Sequence, residues 1–482
     1  MEARSVFRNL SPLDHRYYEA NEELFTALAD YLSEEALVRF CVRVEAALLR
    51  AHMRRTGRDT AENLLAVENL ASVVLPADVY EEERETRHNV RALVRVMKRH
   101  LPDELIPLVH LGATSVDVLD SAQALRIGGA VRSVILPLLL EVEELLLDLT
   151  ERHAATLQIG RTHGQHAVPI TFGFALAEYV ARLGAAAEQI HQRVGDLRGK
   201  LSGAVGAYNS MSMIVTDPIE FERECLAKLG LEPGDHATQM VEPEYLLRLL
   251  LEINTAFGVL ANLADDLRNL QRTEIDEVRE FFSESQVGSS TMPQKRNPWN
   301  SEHVKSLWKA FAPRALTFFM DQISEHQRDL TNSASGRFVT DYLAGFTAAC
   351  ARMRSILGSL YVNEEQMRRN LSLTGDMPLA EAAYSLIATT GRPDAHEDVR
   401  KATLEAQASG RSLHAVLADD EMLWNALGSA LGSVSNIAPK DYFSDPANYA
   451  GRAEEVARGV VSSFRTRMRA LTEPTAGASK GG

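Results

Sequence analysis

The chain has 482 residues, which is long enough for two or three domains and excludes a small disulfide-stapled module. Hydrophobic residues make up 45% and charged residues 24% of the chain, which excludes a wholly disordered protein. Its 51 basic and 66 acidic residues give a formal net charge of −15. This balance argues against a general nucleic-acid binder, because no excess of Lys and Arg is present to replace phosphate counterions. A small anionic substrate would need a local cluster of basic side chains.

Three cysteines, Cys41, Cys225 and Cys350, lie far apart without CxxC or His/Cys ligand spacing. We therefore expect buried thiols, no disulfide framework and no metal site. The first eighteen residues contain no unbroken apolar core, and the most apolar stretch, residues 133–149, is interrupted by three glutamates. We expect no signal peptide and no membrane span, and the expected location is the reducing cytoplasm.

Helical periodicity dominates the chain, and runs of alternating β-branched residues are few and short. In chain order, long helical stretches are predicted at residues 130–153, 170–198, 244–270, 299–326 and 338–360. The stretch 244–270 is apolar on more than one face, which is typical of a helix buried on several sides in a bundle.

These stretches predict an all-α fold of three domains. An N-terminal helical domain is expected over residues 1–110, and a central long-helix bundle over 111–362 that includes a loop at 283–300. A small C-terminal helical domain is expected over 363–482, ending in a disordered tail from Thr472.

The loop between two of the long helices is rich in Gly, Ser and Pro and reads GSSTMPQKRNP from Gly288 to Pro298. Backbone amides near its glycine and serines can point at an anion, Lys295 adds a positive charge, and Asn297 adds an amide donor. Such a set of groups is suited to stabilising a developing oxyanion, in a loop that closes over a substrate.

This loop resembles the signature GSSxMPxKxNP of the fumarase/aspartase superfamily, which includes adenylosuccinate lyase, argininosuccinate lyase, aspartase and class II fumarase. Residues 112–117 (GATSVD) and 160–167 (GRTHGQHA) resemble its other two conserved regions, in the same order and at a similar spacing. The likeness extends over about residues 10–465. We expect His163 and His166 to lie three residues apart on a helix, with His166 packing structurally.

The resemblance implies a lyase that eliminates fumarate without a metal or other cofactor, in a homotetramer whose active sites combine residues from three subunits. By the same resemblance, Ser289 is the general base, activated by surrounding amides and by Lys295. His163 protonates the leaving group, and Glu302 orients and charges that histidine. Further residues that match the pattern are predicted to bind the substrate: Thr114, Ser115, Thr162, Gln239 and Asn297.

Three other segments resemble the adenylosuccinate lyases in particular: SPLDHRY at 11–17, TRHNV at 86–90 and RDLTNSASGR at 328–337. Arg, Tyr and Ser side chains that converge from distant segments would form a sensible phosphate cradle. By this resemblance, the contacts to a nucleotide substrate are Arg16, Tyr17, His88, Asn89, Arg328, Ser333 and Arg337.

The chain departs from the adenylosuccinate lyase pattern at three places. Asn89 stands where Asp is usual, residues 240–244 differ from the usual VIxRDxH, and Ser335-Gly336 replaces a more typical Ala-Glu pair. Four alternatives therefore stay open. The chain is an adenylosuccinate lyase-type enzyme of purine biosynthesis, a recruited relative that cleaves nitrosuccinate or another substituted aspartate, a 3-carboxymuconate-type cycloisomerase, or a crystallin-like structural protein.

The retained chemistry of the three conserved regions argues against the structural protein. The expected partners are a small anionic succinyl or aspartyl substrate, a nucleotide in the first alternative, and further copies of the chain. Neither a nucleic acid nor a membrane is expected.

Overall fold

The computed structural model describes residues 5–283 and 288–472, so residues 473–482 of the predicted tail lie outside the described residues. Helices dominate, which confirms the all-α class. Up to Leu270 the α-helices are α1 (Arg16–Ala20), α2 (Glu22–Leu32), α3 (Glu34–Thr56), α4 (Ala61–Val73), α5 (Pro76–Thr86), α6 (Asn89–Arg99), α7 (Ser115–Ala130), α8 (Leu136–Arg152), α9 (Phe172–Gly195), α10 (Pro218–Ala227) and α11 (Glu244–Leu270). The second half contains α12 (Trp299–Phe311), α13 (Arg314–Met320), α14 (Ser333–Arg337), α15 (Val339–Gly358), α16 (Glu364–Leu371), α17 (Ala380–Thr389), α18 (Ala395–Ser409), α19 (Leu413–Asp419), α20 (Glu421–Gly432), α21 (Pro439–Ser444) and α22 (Ala453–Thr472).

Three small two-stranded sheets accompany the helices in the described part of the chain. The strands are β1 (Leu157–Thr162), β2 (Gln165–Thr171), β3 (Arg198–Gly199), β4 (Glu232–Pro233), β5 (Val278–Arg279) and β6 (Tyr361–Val362). Strand β1 pairs antiparallel with β2, β3 pairs parallel with β4, and β5 pairs antiparallel with β6.

The chain divides into two compact units. The first unit comprises Met1–Glu141, Ala185–Leu260 and Ser306–Arg352, and the second comprises Val142–Gly184, Ala261–Lys305 and Met353–Gly482. The sequence predicts three domains of consecutive residues, whereas each compact unit combines three separate stretches of the chain. The three-domain division stays a prediction.

Helix α3 is central to the core of the first unit, where it packs against α7 and α4. The Oγ atom of Ser33 accepts a hydrogen bond from the N–H of Ala36 at 3.1 Å and caps its start, and Gly57, with φ of 64°, ends it in the left-handed conformation. Its inner face buries Val44 and Leu48 completely, and burial of each such side chain stabilises the fold by about 1.5–3 kcal/mol.

Helix α11 begins and ends at the residues that the sequence predicts. In the first unit it buries Leu250, Ile253 and Phe257, and the ring of Phe257 meets that of Phe346 edge-on at 5.3 Å. The helix is long and apolar enough to cross a membrane, but 56% of its most apolar 18-residue segment is buried within the protein. These contacts favour a core helix of a bundle.

In the second unit, the C-terminal helices α17–α21 enclose a separate apolar cluster that includes Leu379, Leu413 and Phe443, all fully buried. The carboxylate of Asp376 accepts hydrogen bonds from the N–H groups of Leu413 (2.8 Å) and His414 (2.7 Å) and so caps α19. The predicted stretch 299–326 is not one helix, because α12 ends at Phe311 and α13 begins after Pro313, whose ring interrupts a helix interior.

Candidate active site

The loop predicted to carry the base, between β5 and α12 in the second unit, closes on itself. The side-chain amide of Asn297 donates to the carbonyl oxygen of Gly288 at 2.9 Å, so the two ends of the loop meet. The Oγ atom of Ser289 accepts hydrogen bonds from the backbone N–H groups of Thr291 (3.3 Å) and Met292 (3.1 Å). Two N–H donors stabilise negative charge on a hydroxyl oxygen, and a serine needs such stabilisation to act as a base.

Gly288 has no room for a side chain, because a Cβ atom there would lie 2.3 Å from the carbonyl oxygen of Lys295. A turn holds Lys295, whose backbone N–H donates to the carbonyl oxygen of Met292 at 3.0 Å. The Lys295 side chain is exposed, so its ammonium group is accessible to an anion.

His163 lies at the tip of a β-hairpin, so the prediction that His163 and His166 share a helix is wrong. Strands β1 and β2 are joined by His163 and Gly164, with φ of 53° and 73°. Positive φ at both positions is the geometry of two-residue hairpin turns, whose twist matches that of the strands. The register shifts at Gly160, where a Cβ atom would lie 2.8 Å from the carbonyl oxygen of Val168. Ala167 and Val168 of β2 therefore lie opposite the single residue Gly160 of β1, and such a bulge in β2 changes the direction of the side chains around it.

Two other hairpin residues flank the turn. Thr162 is exposed at the end of β1, and His166 lies on β2 opposite Arg161. Burial, then the nearby guanidinium of Arg161, lowers the pKa of His166, so the ring is neutral at neutral pH. Its Nδ1 atom is buried and has no hydrogen-bond partner among the described residues.

Glu302 lies in the first turn of α12 and is exposed. Over residues 5–283 and 288–472, its carboxylate makes no hydrogen bond or ion pair, and neither does the imidazole of His163. The single chain therefore does not bring together the predicted acid and the carboxylate predicted to orient it.

In the first unit, the structure does bring His88 and Ser115 together. The Nδ1 atom of His88 accepts a hydrogen bond from the N–H of Arg91 at 3.3 Å, so in the neutral ring the proton is on Nε2. That atom lies 3.3 Å from the Oγ atom of Ser115 and can donate to it. Thr114 and Ser115 start α7 and are half-buried, so both hydroxyl groups remain within reach of a ligand.

A cleft of about 300 Å³ in the first unit lies between the segment around Gln239 and the segment that contains Arg328. The backbone N–H of Gln239 donates to the carbonyl oxygen of Gln327 at 3.3 Å. The guanidinium of Arg328 donates to the Oγ atom of Ser324 (2.6 Å) and to the carbonyl oxygen of Gln322 (3.2 Å). Arg328 thus offers a fixed positive charge to a ligand in the cleft, whose lining also includes Glu242 and Glu325.

The other predicted nucleotide contacts also belong to the first unit. Arg16 and Tyr17 begin α1, and Ser333 and Arg337 are the two ends of the five-residue α14. Asn89 begins α6, and its side-chain oxygen accepts a hydrogen bond from the next backbone N–H at 2.7 Å. Within the described ranges, the Arg16 side chain makes no hydrogen bond to Ser333, and the phosphate cradle stays a prediction.

Residues 16–309 match the family model described as Lyase, and residues 324–443 match the model described as Adenylosuccinate lyase C-terminal. The adenylosuccinate lyase of Pyrococcus abyssi is 33% identical over 459 residues, which cover 94% of this chain and 97% of the relative. The chain belongs to the adenylosuccinate lyase family. The predicted membership of the fumarase/aspartase superfamily is thereby confirmed, and the chain is a lyase of that superfamily.

Two further matches show how broad the similarity is. The N-acetyl-S-(2-succino)cysteine lyase of Dickeya dadantii is 30% identical over 426 residues, which cover 87% of this chain and 90% of the relative. The crystal structure of the 3-carboxy-cis,cis-muconate lactonizing enzyme of Pseudomonas putida superposes with a TM-score of 0.78 at 25% identity, covering 92% of this chain and 97% of that one. Proteins with this fold are therefore named for different succinylated or carboxylated compounds.

In this adenylosuccinate lyase relative, a buried ion pair that was not predicted lies beneath the Thr114–Ser115 turn. Asp117 and Lys200 are almost completely buried, and the Lys200 ammonium donates to the Asp117 carboxylate. The same carboxylate accepts from the N–H of Thr114 at 2.7 Å and from that of Gly203 at 3.2 Å. The acidic residue three positions after a threonine is the available sequence signal, since it is typical of a capping box, but nothing local indicates Lys200.

Proposed function

We propose that this chain cleaves adenylosuccinate to AMP and fumarate, and that it also cleaves the succinylated imidazole-carboxamide nucleotide of purine biosynthesis. The observation that carries the proposed reaction type is the hydrogen bonding of Ser289. Its Oγ atom accepts from two backbone N–H groups in a loop that also presents Lys295 and Asn297. These are donors for negative charge, and the reaction develops negative charge on the substrate.

In the proposed mechanism, the Ser289 oxygen removes a proton from the succinyl carbon that lies next to a carboxylate. The electron pair left behind moves into that carboxylate, which then bears two negative charges. Lys295, Asn297 and the hydroxyl groups of Thr114 and Ser115 stabilise this intermediate. Loss of one such donor typically lowers the rate about 10²–10³-fold.

The second step breaks the bond between the neighbouring carbon and nitrogen. The electron pair that returns from the carboxylate forms the double bond of fumarate, and the leaving nitrogen takes a proton from His163. An exposed imidazole on a fixed turn suits this transfer, because it can reach a bound ligand without unfolding the hairpin. Glu302 would hold the imidazole protonated.

The nucleotide substrate is supported by sequence similarity and by one structural feature. Residues 324–443 match the adenylosuccinate lyase C-terminal model, and the similarity to the adenylosuccinate lyase of Pyrococcus abyssi covers 97% of that relative. The Arg328 guanidinium beside its 300 Å³ cleft is chemically suited to a phosphate. Buried, unpaired thiols agree with a reducing compartment, and we propose the cytoplasm as the location.

A smaller substituted succinate is the second candidate, and Asn89 favours it. This amide replaces the usual carboxylate beside His88, so the charge around the predicted phosphate site differs from that of the family pattern. The Dickeya dadantii relative shows that a chain of comparable similarity is named for a thioether.

We propose a homotetramer with shared active sites as the working form. Two features support it. His163 and Glu302 are exposed and do not hydrogen-bond to each other in one chain. In the first unit, Leu316, Phe319 and Ile323 are 66%, 55% and 81% exposed, which is unusual for neighbouring large apolar side chains outside an interface. Sedimentation should give a tetramer, and mixing Ser289→Ala with His163→Ala chains should restore part of the activity. A fully active monomer would overturn the proposal.

The substrate is tested by a parallel assay that follows fumarate release. Adenylosuccinate, argininosuccinate, aspartate, nitrosuccinate and N-acetyl-S-(2-succino)cysteine are offered at equal concentration. We expect cleavage of adenylosuccinate, with or without added chelator, and an increase in KM on Arg337→Ala, because a contact to phosphate is remote from the reacting carbon. Turnover of a compact succinate with none of adenylosuccinate would replace the leading proposal by the second candidate.

A further inference from the structure

Among the described residues, no hydrogen bond or ion pair fixes the His163 side chain at its turn. The imidazole is exposed, and Gly164 beside it has nothing within 4 Å of the position of a Cβ atom. The position of the ring therefore depends on how firmly strands β1 and β2 are anchored below the tip. The anchor is a buried polar cluster in the second unit, here called the Glu277 brace: Gln158, Arg161, Glu277 and Asn370.

The carboxylate of Glu277 is fully buried and collects four hydrogen bonds. Arg161 donates twice, from Nη1 at 3.1 Å and from Nη2 at 2.6 Å, and Gln158 and Asn370 donate through their side-chain amides at 2.7 and 2.8 Å. The two parallel bonds from Arg161 fix the direction of the guanidinium as well as its distance. Arg161 precedes His163 by only two residues on β1, so this fork sets the position of the turn.

The Glu277 end of the brace is itself held in place. The amide of Asn370 also donates to the carbonyl oxygen of Ile275 at 2.7 Å, and the N–H of Asn363 donates to the carbonyl oxygen of Glu277 at 2.9 Å. Val278, the residue after Glu277, is held by the pairing of β5 with β6. The brace therefore connects the hairpin to a segment that cannot shift independently.

The same segment also holds the start of α12. Glu280 accepts four hydrogen bonds, from the N–H and side-chain amide of Asn300 (3.2 and 2.9 Å) and from the N–H and Oγ of Ser301 (2.8 and 2.6 Å). Glu302 is the next residue. Residues 277–280 thus anchor both elements that carry the predicted acid and its orienting carboxylate.

Stability alone does not explain a buried ionic cluster. Removing charges from water costs several kcal/mol per ion, and apolar side chains of similar volume often stabilise a core as well or better. What a bidentate ion pair provides is a defined orientation, and a displacement of about 1 Å at a reacting group can reduce the rate about 10²-fold.

We propose that Arg161, held by the carboxylate of Glu277, is a positioning residue that fixes His163 for proton transfer to the leaving group. This inference rests on the proposed function, in which His163 is the acid. Arg161 acts through His163 and does not touch the substrate.

The test is a double-mutant cycle of Arg161→Lys and His163→Ala, with adenylosuccinate as substrate. Arg161→Lys keeps the charge but loses the fork, so we expect kcat to fall about 10- to 100-fold with KM nearly unchanged. In the His163→Ala background the same change should have no further effect, because there is no ring left to position. An equal loss of kcat in both backgrounds, or no loss in the wild-type background, would overturn the proposal.

Two further variants separate positioning from folding. Gln158→Leu removes one hydrogen-bond donor to Glu277 but leaves the two bonds from Arg161. The side-chain carbonyl oxygen of Gln158 has no described partner, so we expect this variant to fold. Its loss of kcat should be smaller than that of Arg161→Lys and should again vanish in the His163→Ala background. Arg392→Lys is the control, because Arg392 is also half-buried and forms an ion pair with Asp398 at 2.5 Å within the same unit. Its kcat should equal that of the wild type.

The cycle also distinguishes the two proposals. A wild-type chain that releases no fumarate from adenylosuccinate would overturn the proposed substrate, and the cycle would then be run with whichever succinate it cleaves. If His163→Ala left kcat unchanged with a cleaved substrate, His163 would not be the acid and the positioning role of Arg161 would fail with it.

Discussion

The hairpin that carries His163 and the loop that carries Ser289 belong to the same unit but are held in opposite ways. The hairpin is anchored by a buried carboxylate more than a hundred residues away in the chain, through a bidentate arginine. The loop is closed by short-range bonds among its own residues, from Asn297 to Gly288 and from two amides to Ser289. Its residues 289–296 are mostly exposed.

This difference indicates different mechanical roles. A segment with few buried contacts and exposed hydrogen bonds opens at a low free-energy cost, whereas a segment tied into the core opens only when much of the unit unfolds. We infer that the base is carried by a segment able to close over a substrate and the acid by one that stays fixed. We predict four effects, three on these two segments and one on another buried carboxyl group of the same unit.

The largest expected effect concerns the loop and is on activity. Ser289→Ala should lower kcat at least about 10³-fold while substrate binding, measured by titration calorimetry, stays nearly unchanged, because the serine acts in the transition state. Ser290→Ala is the matched control and should lower kcat far less. If Ser289→Ala kept more than about a tenth of the wild-type kcat, equivalent to about 1.4 kcal/mol, Ser289 would not be the base.

The second prediction concerns the brace and is on stability. Glu277→Gln leaves Arg161 without its partner in a buried site, so the free energy of unfolding should fall by about 3 kcal/mol. Glu274→Gln, an exposed glutamate three residues earlier, should have almost no effect. Equal melting temperatures of the two variants would contradict the view that the hairpin is anchored through Glu277.

The third prediction uses Glu143, a buried carboxyl of the same unit whose two oxygens have no described hydrogen-bond partner. Burial, then the neighbouring Glu144, raises the pKa of Glu143 well above its usual value. The folded chain thus holds this proton more tightly than the unfolded chain, so stability is lost as pH rises from about 4.5 towards the raised pKa, by about 1.4 kcal/mol per pH unit.

Glu143→Gln should remove this loss, so its melting temperature relative to the wild type should increase between pH 5 and pH 8. Glu277→Gln should destabilise at both pH values. If Glu143→Gln and Glu277→Gln lowered the melting temperature equally at both pH values, the burial of a carboxyl group, and not the loss of its partner, would determine the change in stability.

The smallest expected effect is on the stability of the loop. Asn297→Ala removes the bond that closes it, but the side chain is half-buried, so the free energy of unfolding should fall by less than about 1 kcal/mol. The measurement is the same thermal unfolding series. A loss as large as that of Glu277→Gln would show that the loop is as firmly anchored as the hairpin.

The helices were the easiest elements to predict, and the hairpin shows why others fail. Helix α11 follows a long apolar periodic run, and both of its ends are predicted correctly. Gly160 interrupts the alternation of β1, and Arg161 and His166 occupy strand positions without giving an apolar and polar alternation. The dipeptide His163-Gly164 between two short runs was the available hairpin signal.

The residues of the candidate site were predictable where a local motif contains them, as in the Ser289 loop. Their supports were not. Lys200 lies 83 residues from Asp117, and Arg161 lies 116 residues from Glu277. A single sequence carries no record of which distant charges pair, because each is locally indistinguishable from a solvated surface residue.

The three cysteines offer a practical route to watching the Ser289 loop in solution. Burial raises the pKa of Cys41 and Cys225 to about 12 and raises that of Cys350 as well. Because the thiolate is the reactive form, none of them should take up a maleimide dye at neutral pH. A single cysteine introduced at the exposed Thr291 would therefore be labelled selectively in an otherwise native chain, and its fluorescence would report directly when the loop closes on a ligand.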